Sequence, residues 1–230
     1  MALPLLNESP RYEVVIPSTG KKIKFRPYLV KEEKVLMLAA ETKDSKQMMN
    51  AIIDTVSACV TDKIDVHSLT TFDLEYLFIK LRAKSVGEKS TIQINCESCK
   101  EVNEYQIDLD SITCKMNKTD NIIKIDDNIS VEMKYPSYSQ IDITENETEM
   151  GFEVLASCLA TVYTQDQRID VSEEPKESVR KFLESMTRSQ FEKVRDYFVD
   201  MPQVKAEVEF TCRKCDELNK FDIRGIQSLF

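Results

Sequence analysis

Two C-x-x-C pairs, Cys96-Glu97-Ser98-Cys99 and Cys212-Arg213-Lys214-Cys215, constrain this chain most, because matching strand-like stretches flank each of them. Ile92-Gln93-Ile94-Asn95 leads into the first pair and Val102-Asn103-Glu104-Tyr105-Gln106-Ile107 leaves it. Val208-Glu209-Phe210-Thr211 and Leu218-Asn219-Lys220-Phe221-Asp222-Ile223 bracket the second pair in the same register. Apolar and polar residues alternate on both sides, the period of a half-buried strand, so each pair is expected at the tip of a β-hairpin. One tip offers two sulfurs, and a closed structural zinc site takes four. Cys96, Cys99, Cys212 and Cys215 are therefore the candidate metal ligands, and zinc is the expected cofactor.

The likeness between the halves continues upstream. Ile64-Asp65-Val66 is matched by Ile169-Asp170-Val171, and Leu69-Thr70-Thr71-Phe72-Asp73-Leu74-Glu75 by Met186-Thr187-Arg188-Ser189-Gln190-Phe191-Glu192. Thr70 and Thr187 read as helix N-caps, with Asp73 and Gln190 three residues on, where a side chain reaches back to the cap amide. Ser57-Ala58-Cys59 and Ala156-Ser157-Cys158 lie on the apolar helices just before them. At the front of each half, Tyr12–Ile16 and Ile23–Pro27 flank a Ser18-Thr19-Gly20 turn, as Ile122–Ile125 and Val131–Pro136 flank Asp126-Asp127-Asn128. Both read as hairpins that run to a proline.

These matches imply an internal duplication over residues 12–112 and 121–230. The expected fold is α+β: hairpin-helix-helix-knuckle hairpin units, related by a pseudo-two-fold and joined by a four-cysteine, zinc-ribbon-like site. The expected domains are 1–114 with the first knuckle and 121–230 with the second, linked by 115–120. The two pairs lie far apart in sequence, which leaves open whether the four cysteines meet within one chain or across a dimer.

At 230 residues and 42% hydrophobic, the chain can bury a substantial core. Met1-Ala2-Leu3-Pro4-Leu5-Leu6 lacks the basic flank and cleavage site of a signal peptide, and no apolar run reaches membrane-spanning length, so a cytoplasmic location is expected. Seven cysteines in a reducing compartment point to thiols or metal rather than disulfides. Cys59 and Cys158, within apolar helical runs, are expected to pack as small hydrophobes, and Cys114 carries no assigned role.

A net charge of -9 argues against general nucleic-acid binding. Lys21, Lys22, Lys24, Arg26, Lys31 and Lys34 cluster locally, but Ile23 and Phe25 alternate among them, as on the solvated face of an edge hairpin. Catalytic signatures are absent. His67, the one histidine, has no obvious carboxylate or nucleophile partner in sequence, the four glycines are too scattered to cradle a phosphate, and the acidic runs Glu145–Glu149 and Glu173-Glu174 read as solvated loops or helix N-termini. A redox role for either C-x-x-C ranks below zinc, because such a dithiol begins a helix whereas strand-like alternation follows both pairs. A zinc-ribbon adaptor in transcription would want a basic or aromatic face that this chain largely lacks. Val35-Leu36-Met37-Leu38 with Met48-Met49, and Phe72, Leu74, Tyr76-Leu77-Phe78 with Leu81, stand at helical spacing and are expected to form core. The terminal Ile226–Phe230 suits either self-docking or a partner anchor.

Met1-Ala2-Leu3-Pro4, Tyr12, Pro17-Ser18-Thr19-Gly20-Lys21, the run Phe25-Arg26-Pro27-Tyr28-Leu29-Val30-Lys31-Glu32-Glu33-Lys34 and the apolar helix Val35–Ala39 resemble the baseplate hub assembly proteins of T-even-like tailed phages. The length and the cysteine pairs suit that family. The resemblance implies a non-enzymatic factor that binds phage baseplate hub proteins during tail assembly in the cytoplasm of an infected bacterium. Its alternative is a structural hub subunit kept in the virion tail.

Overall fold

The computed structural model describes residues 10–116, 120–141 and 147–224. Met1–Pro4, the middle of the expected linker, the start of the acidic run at 145 and Ile226–Phe230 lie outside the described residues. Contacts divide the chain into two compact units. The first holds the residues up to Val66, Phe72–Lys115 and those from Gln203 onward; the second holds His67–Thr71 and Met116–Pro202.

The first unit opens with the expected hairpin, β1 (Tyr12–Val15) and β2 (Lys22–Phe25), in register from Tyr12 opposite Phe25 to Val15 opposite Lys22. Its turn places Gly20 at φ 66, a left-handed conformation that an L side chain strains to adopt. Ile23 and Phe25 point into the core while Lys22 and Lys24 face solvent, so the lysines do line an exposed hairpin face. Three helices follow, α1 (Val30–Thr42), α2 (Ser45–Cys59) and α3 (Thr71–Ser85).

The Arg-Pro-Tyr-Leu-Val-Lys-Glu-Glu run proves to be a clamp. Arg26 donates to Glu32 Oε1 at 2.9 Å, to the Pro27 carbonyl and, at 3.1 Å, to the Ala58 carbonyl, while Glu32 Oε2 accepts from the Leu29 N–H at 2.8 Å. Burial opposes ionisation of Glu32, but the bonds from Arg26 and Leu29 outweigh it and hold its carboxyl below the usual range. Glu32 thus ties the hairpin's exit to the start of α1, and its partner Arg26 carries the link on to the end of α2.

On α3, Phe72, Leu74, Leu77, Phe78 and Leu81 are buried as expected, each contributing about 1.5–3 kcal/mol by leaving water, whereas Tyr76, and Met48 and Met49 on α2, are only half-buried. On α1 the expectation fails in part. Only Glu32, Leu36 and Ala39 are buried, whereas Val30, Met37 and Leu38 are 79%, 61% and 53% exposed. The helix packs one i, i+4, i+7 stripe, and its apolar content exceeds that stripe. Asp73, expected to reach back toward a cap, accepts from both the N–H and the hydroxyl of Ser18 in the hairpin turn.

The unit is completed by strands. β3 (Lys89–Asn95) pairs with β4 (Val102–Asp108), and β5 (Thr113–Cys114) pairs with the start of β10 (Val204–Thr211). β10 also pairs with β11 (Leu218–Arg224). The hairpin β10–β11 therefore belongs to the first unit, although the half of the sequence that carries it was expected to form its own lobe.

The second unit holds the antiparallel sheet β6 (Ile122–Lys124), β7 (Ser130–Met133), β8 (Leu159–Tyr163) and β9 (Arg168–Asp170), in that order, with α4 (Glu147–Cys158), α5 (Lys176–Glu184) and α6 (Arg188–Val199). Val131, Met133, Leu155, Leu159 and Val194 form its core. Thr187 caps α6 as expected, its hydroxyl accepting from the Gln190 N–H and the Gln190 side chain reaching back to the Thr187 N–H at 2.9 Å. Cys59 and Cys158 are fully buried, and burial pushes their thiols up to about 11 and about 12.

Corresponding positions in the two halves make corresponding contacts. The Arg26 N–H donates to the Cys59 carbonyl at 3.0 Å and the Lys134 N–H to the Cys158 carbonyl at 2.7 Å, and Val66 and Val171 each open a 3-10 turn. The halves diverge after those cysteines. Leu159–Tyr163, in which Thr161, Val162 and Tyr163 favour a strand, pairs with β7, whereas Val60 makes a single bridge with Phe25 and Thr61 and Asp62 stay on β2 only through hydrogen bonds with Lys24, the Thr61 N–H donating to its carbonyl at 2.9 Å and the Asp62 carboxylate accepting from its N–H at 2.6 Å. In place of the expected hairpin, helix, helix, knuckle, each half thus has three helices between its hairpins, and the second half adds the strand pair β8–β9. No described helix is long and apolar enough to cross a membrane.

Candidate metal centre

Each knuckle is built by the same backbone device. The Cys96 N–H donates to the Glu101 carbonyl at 2.9 Å and the Lys100 N–H to the Cys96 carbonyl at 3.0 Å, while the Cys212 N–H meets the Glu217 carbonyl at 2.8 Å and the Asp216 N–H the Cys212 carbonyl at 3.0 Å. Lys100 at φ 60 and Asp216 at φ 57 take the left-handed turn that follows each second cysteine. The chain thereby wraps round its own sulfurs and returns as a strand. Strands β4 and β11, not helices, follow the pairs, so the helix N-terminus that would activate a redox dithiol is missing from both.

The two tips meet within one chain. Cys96 Sγ lies 3.7 Å from Cys215 Sγ and Cys99 Sγ 3.6 Å from Cys212 Sγ, and all four sulfurs fall within 4.8 Å of one another. With metal–sulfur bonds of about 2.3 Å, a tetrahedral zinc site has sulfur–sulfur edges of about 3.8 Å, so this cluster can hold a metal ion of that size. All four expected ligands are brought together. Cys96 and Cys212 are fully buried, Cys99 is half-buried and Cys215 is exposed.

Two asparagines that the sequence reading passed over complete the surroundings. Asn103 Oδ1 accepts from the Arg213 N–H at 3.0 Å, and its Nδ2 donates to the Glu101 carbonyl at 2.9 Å and lies 3.6 Å from Cys212 Sγ. Asn219 repeats this in reverse: Oδ1 accepts from the Glu97 N–H at 2.9 Å, and Nδ2 donates to the Glu217 carbonyl at 2.9 Å and lies 3.5 Å from Cys96 Sγ. Each knuckle's asparagine therefore braces the other knuckle. A signal was present, since both asparagines stand four residues after the second cysteine of their pair.

The electrostatics favour a cation. Backbone N–H groups, that of Lys214 foremost, with help from Asn103, lower the Cys212 thiol to about 6, and the Cys99 N–H leads the same effect at Cys96. At Cys215 the Glu217 N–H pulls downward, but the neighbouring sulfurs of Cys99, Cys212 and Cys96 push the thiol up to about 12. A sulfur cluster that resists taking all its negative charge accepts it once a divalent ion enters. Arg213 and Lys214 also reach Glu101 across the knuckles at 3.1 and 3.3 Å, and these exposed pairs add little energy.

His67 lies exposed in a 3-10 turn, its carbonyl accepting from the Ser139 hydroxyl. Cys114 sits in β5, its thiol pushed up to about 12 chiefly by burial.

A family model described as T4 bacteriophage base plate protein matches residues 9–230. Nothing matches among curated proteins or among solved structures.

Proposed function

The chain belongs to the T4 bacteriophage base plate protein family, and from that premise we propose that it is a non-enzymatic assembly factor of the baseplate hub, stabilised by structural zinc. Family membership along nearly the whole chain carries the reading and makes other phage baseplate proteins its partners. The cysteine cluster supports the non-catalytic part. Four protein sulfurs close a tetrahedral shell and leave no position for substrate or water, which is the arrangement of structural rather than catalytic zinc. Zinc there would hold hairpins β3–β4 and β10–β11 together, and ligands from two halves of the chain would make folding depend on metal. An ancestral duplication would account for the paired knuckles and for the matching hydrogen bonds at Cys59 and Cys158.

The exposed apolar side chains of α1, Val30, Met37 and Leu38, favour a protein contact of some kind and suit a structural hub subunit as well as a transient factor. Quantitative mass spectrometry of purified virions and of infected-cell lysate separates the two. An assembly factor is found bound to hub proteins in the lysate and missing from finished particles. A stoichiometric presence in virions assigns the structural role instead.

A further inference from the structure

We propose that Asn103 and Asn219 are reciprocal positioning residues for the metal, each setting the donor strength of one sulfur on the opposite knuckle through an N–H···S hydrogen bond. This rests on the four cysteines binding a divalent metal. Both asparagines are buried, at 4% and 2% exposure, where an amide left unpaired would be costly. Their two ends do different work. Each Oδ1 holds the opposite knuckle's backbone through the residue after the first cysteine, Arg213 or Glu97, and so fixes how the two tips approach. Each Nδ2 is anchored on its own strand by the carbonyl of Glu101 or Glu217 and aimed at the first cysteine of the other pair.

An N–H directed at a thiolate withdraws electron density from it, which stabilises a sulfur that must carry negative charge against a metal and lowers the energy of its lone pairs. Because the arrangement is reciprocal, neither hairpin can brace its own sulfurs in this way. Asn219 acts on Cys96 and Asn103 on Cys212, so the site reaches its full donor set only with both hairpins in place.

The asparagine's two functions can be separated chemically. Asn103→Asp and Asn219→Asp keep the shape and the acceptor oxygen that holds the opposite backbone, but remove the N–H and set a carboxylate against the thiolate. The test uses the full-length chain loaded with cobalt(II), whose thiolate-to-metal charge-transfer absorption reports sulfur electron density, together with zinc affinity measured by competition with a chromophoric chelator. Each single variant is expected to move the charge-transfer band to lower energy and to weaken zinc binding about ten- to a hundred-fold, with the double variant larger in both. Should an aspartate variant fail to fold, Asn103→Ser or Asn219→Ser is expected to move the band in the same direction, its hydroxyl being too short to reach the sulfur, and the band alone is then read because serine also gives up the bond to the opposite backbone.

Weakened affinity with an unmoved band would overturn the proposal and leave the asparagines as braces of the fold only. Unchanged affinity and band would overturn it outright. A wild-type chain that takes up neither cobalt nor zinc would instead remove the metal reading on which the proposal stands.

Discussion

Cys99 and Cys212 face each other at 3.6 Å across the knuckles, so removing either leaves three sulfurs and an open coordination position. Cys99→Ser is expected to abolish stoichiometric zinc and to lower the melting temperature, by roughly 2–4 °C for each kcal/mol of metal-coupled stability lost. Metal analysis and a thermal scan on the same sample check both. Protonation should act in the same direction. Cys212 is lowered to about 6 and Cys215 raised to about 12, so metal entry displaces protons from the cluster, and acid restores them. Zinc affinity should fall by about tenfold per pH unit for each displaced proton as pH drops, steepening as Cys212 itself protonates near pH 6. Dialysis across a pH series followed by metal analysis reads this. The four ligands were legible because C-x-x-C spacing is a short-range property of the chain. Asn103 and Asn219 stand at matching positions four residues after each pair, a signal that they are equivalent, but that spacing does not reveal which sulfur on the opposite knuckle each one faces.

Elements with strong local signals formed where the residues indicated. The front hairpins, both knuckle hairpins and the cap at Thr187 follow from alternation, turn residues and a capping box, all of which act within a few positions. Thr187→Ala removes the hydroxyl that accepts from the Gln190 N–H and should cost about 1 kcal/mol, seen as a lower midpoint in urea unfolding with an unchanged slope. The readings that failed were those on which competing tertiary partners decide. Val35-Leu36-Met37-Leu38 has the apolar content of a core helix, but a helix buries only the stripe that meets a neighbour, and three of these four residues stay exposed. Leu159–Tyr163 forms a strand on the edge of β7, an element that the expected hairpin-helix-helix-knuckle order did not contain.

For the whole molecule, zinc removal should have a local signature if the site joins two hairpins of one unit. Amide exchange followed by mass spectrometry, with and without a strong zinc chelator, is expected to show faster exchange in β3–β4 and β10–β11 and little change in β7–β8 of the second unit. Uniform loss of protection would mean that both units depend on the metal for folding. The sequence by itself determined the four sulfurs, the hairpins that carry them, most of the helices and the baseplate family, since these reside in residue identity and in periodicities a few positions long. Only the tertiary structure decided that the tips close on each other within one chain, that hairpin β10–β11 returns to the first unit, and that each asparagine serves the opposite knuckle. Those outcomes depend on contacts between residues more than a hundred positions apart, whose formation is set by competition among packing surfaces and leaves no pattern in any local stretch of the chain.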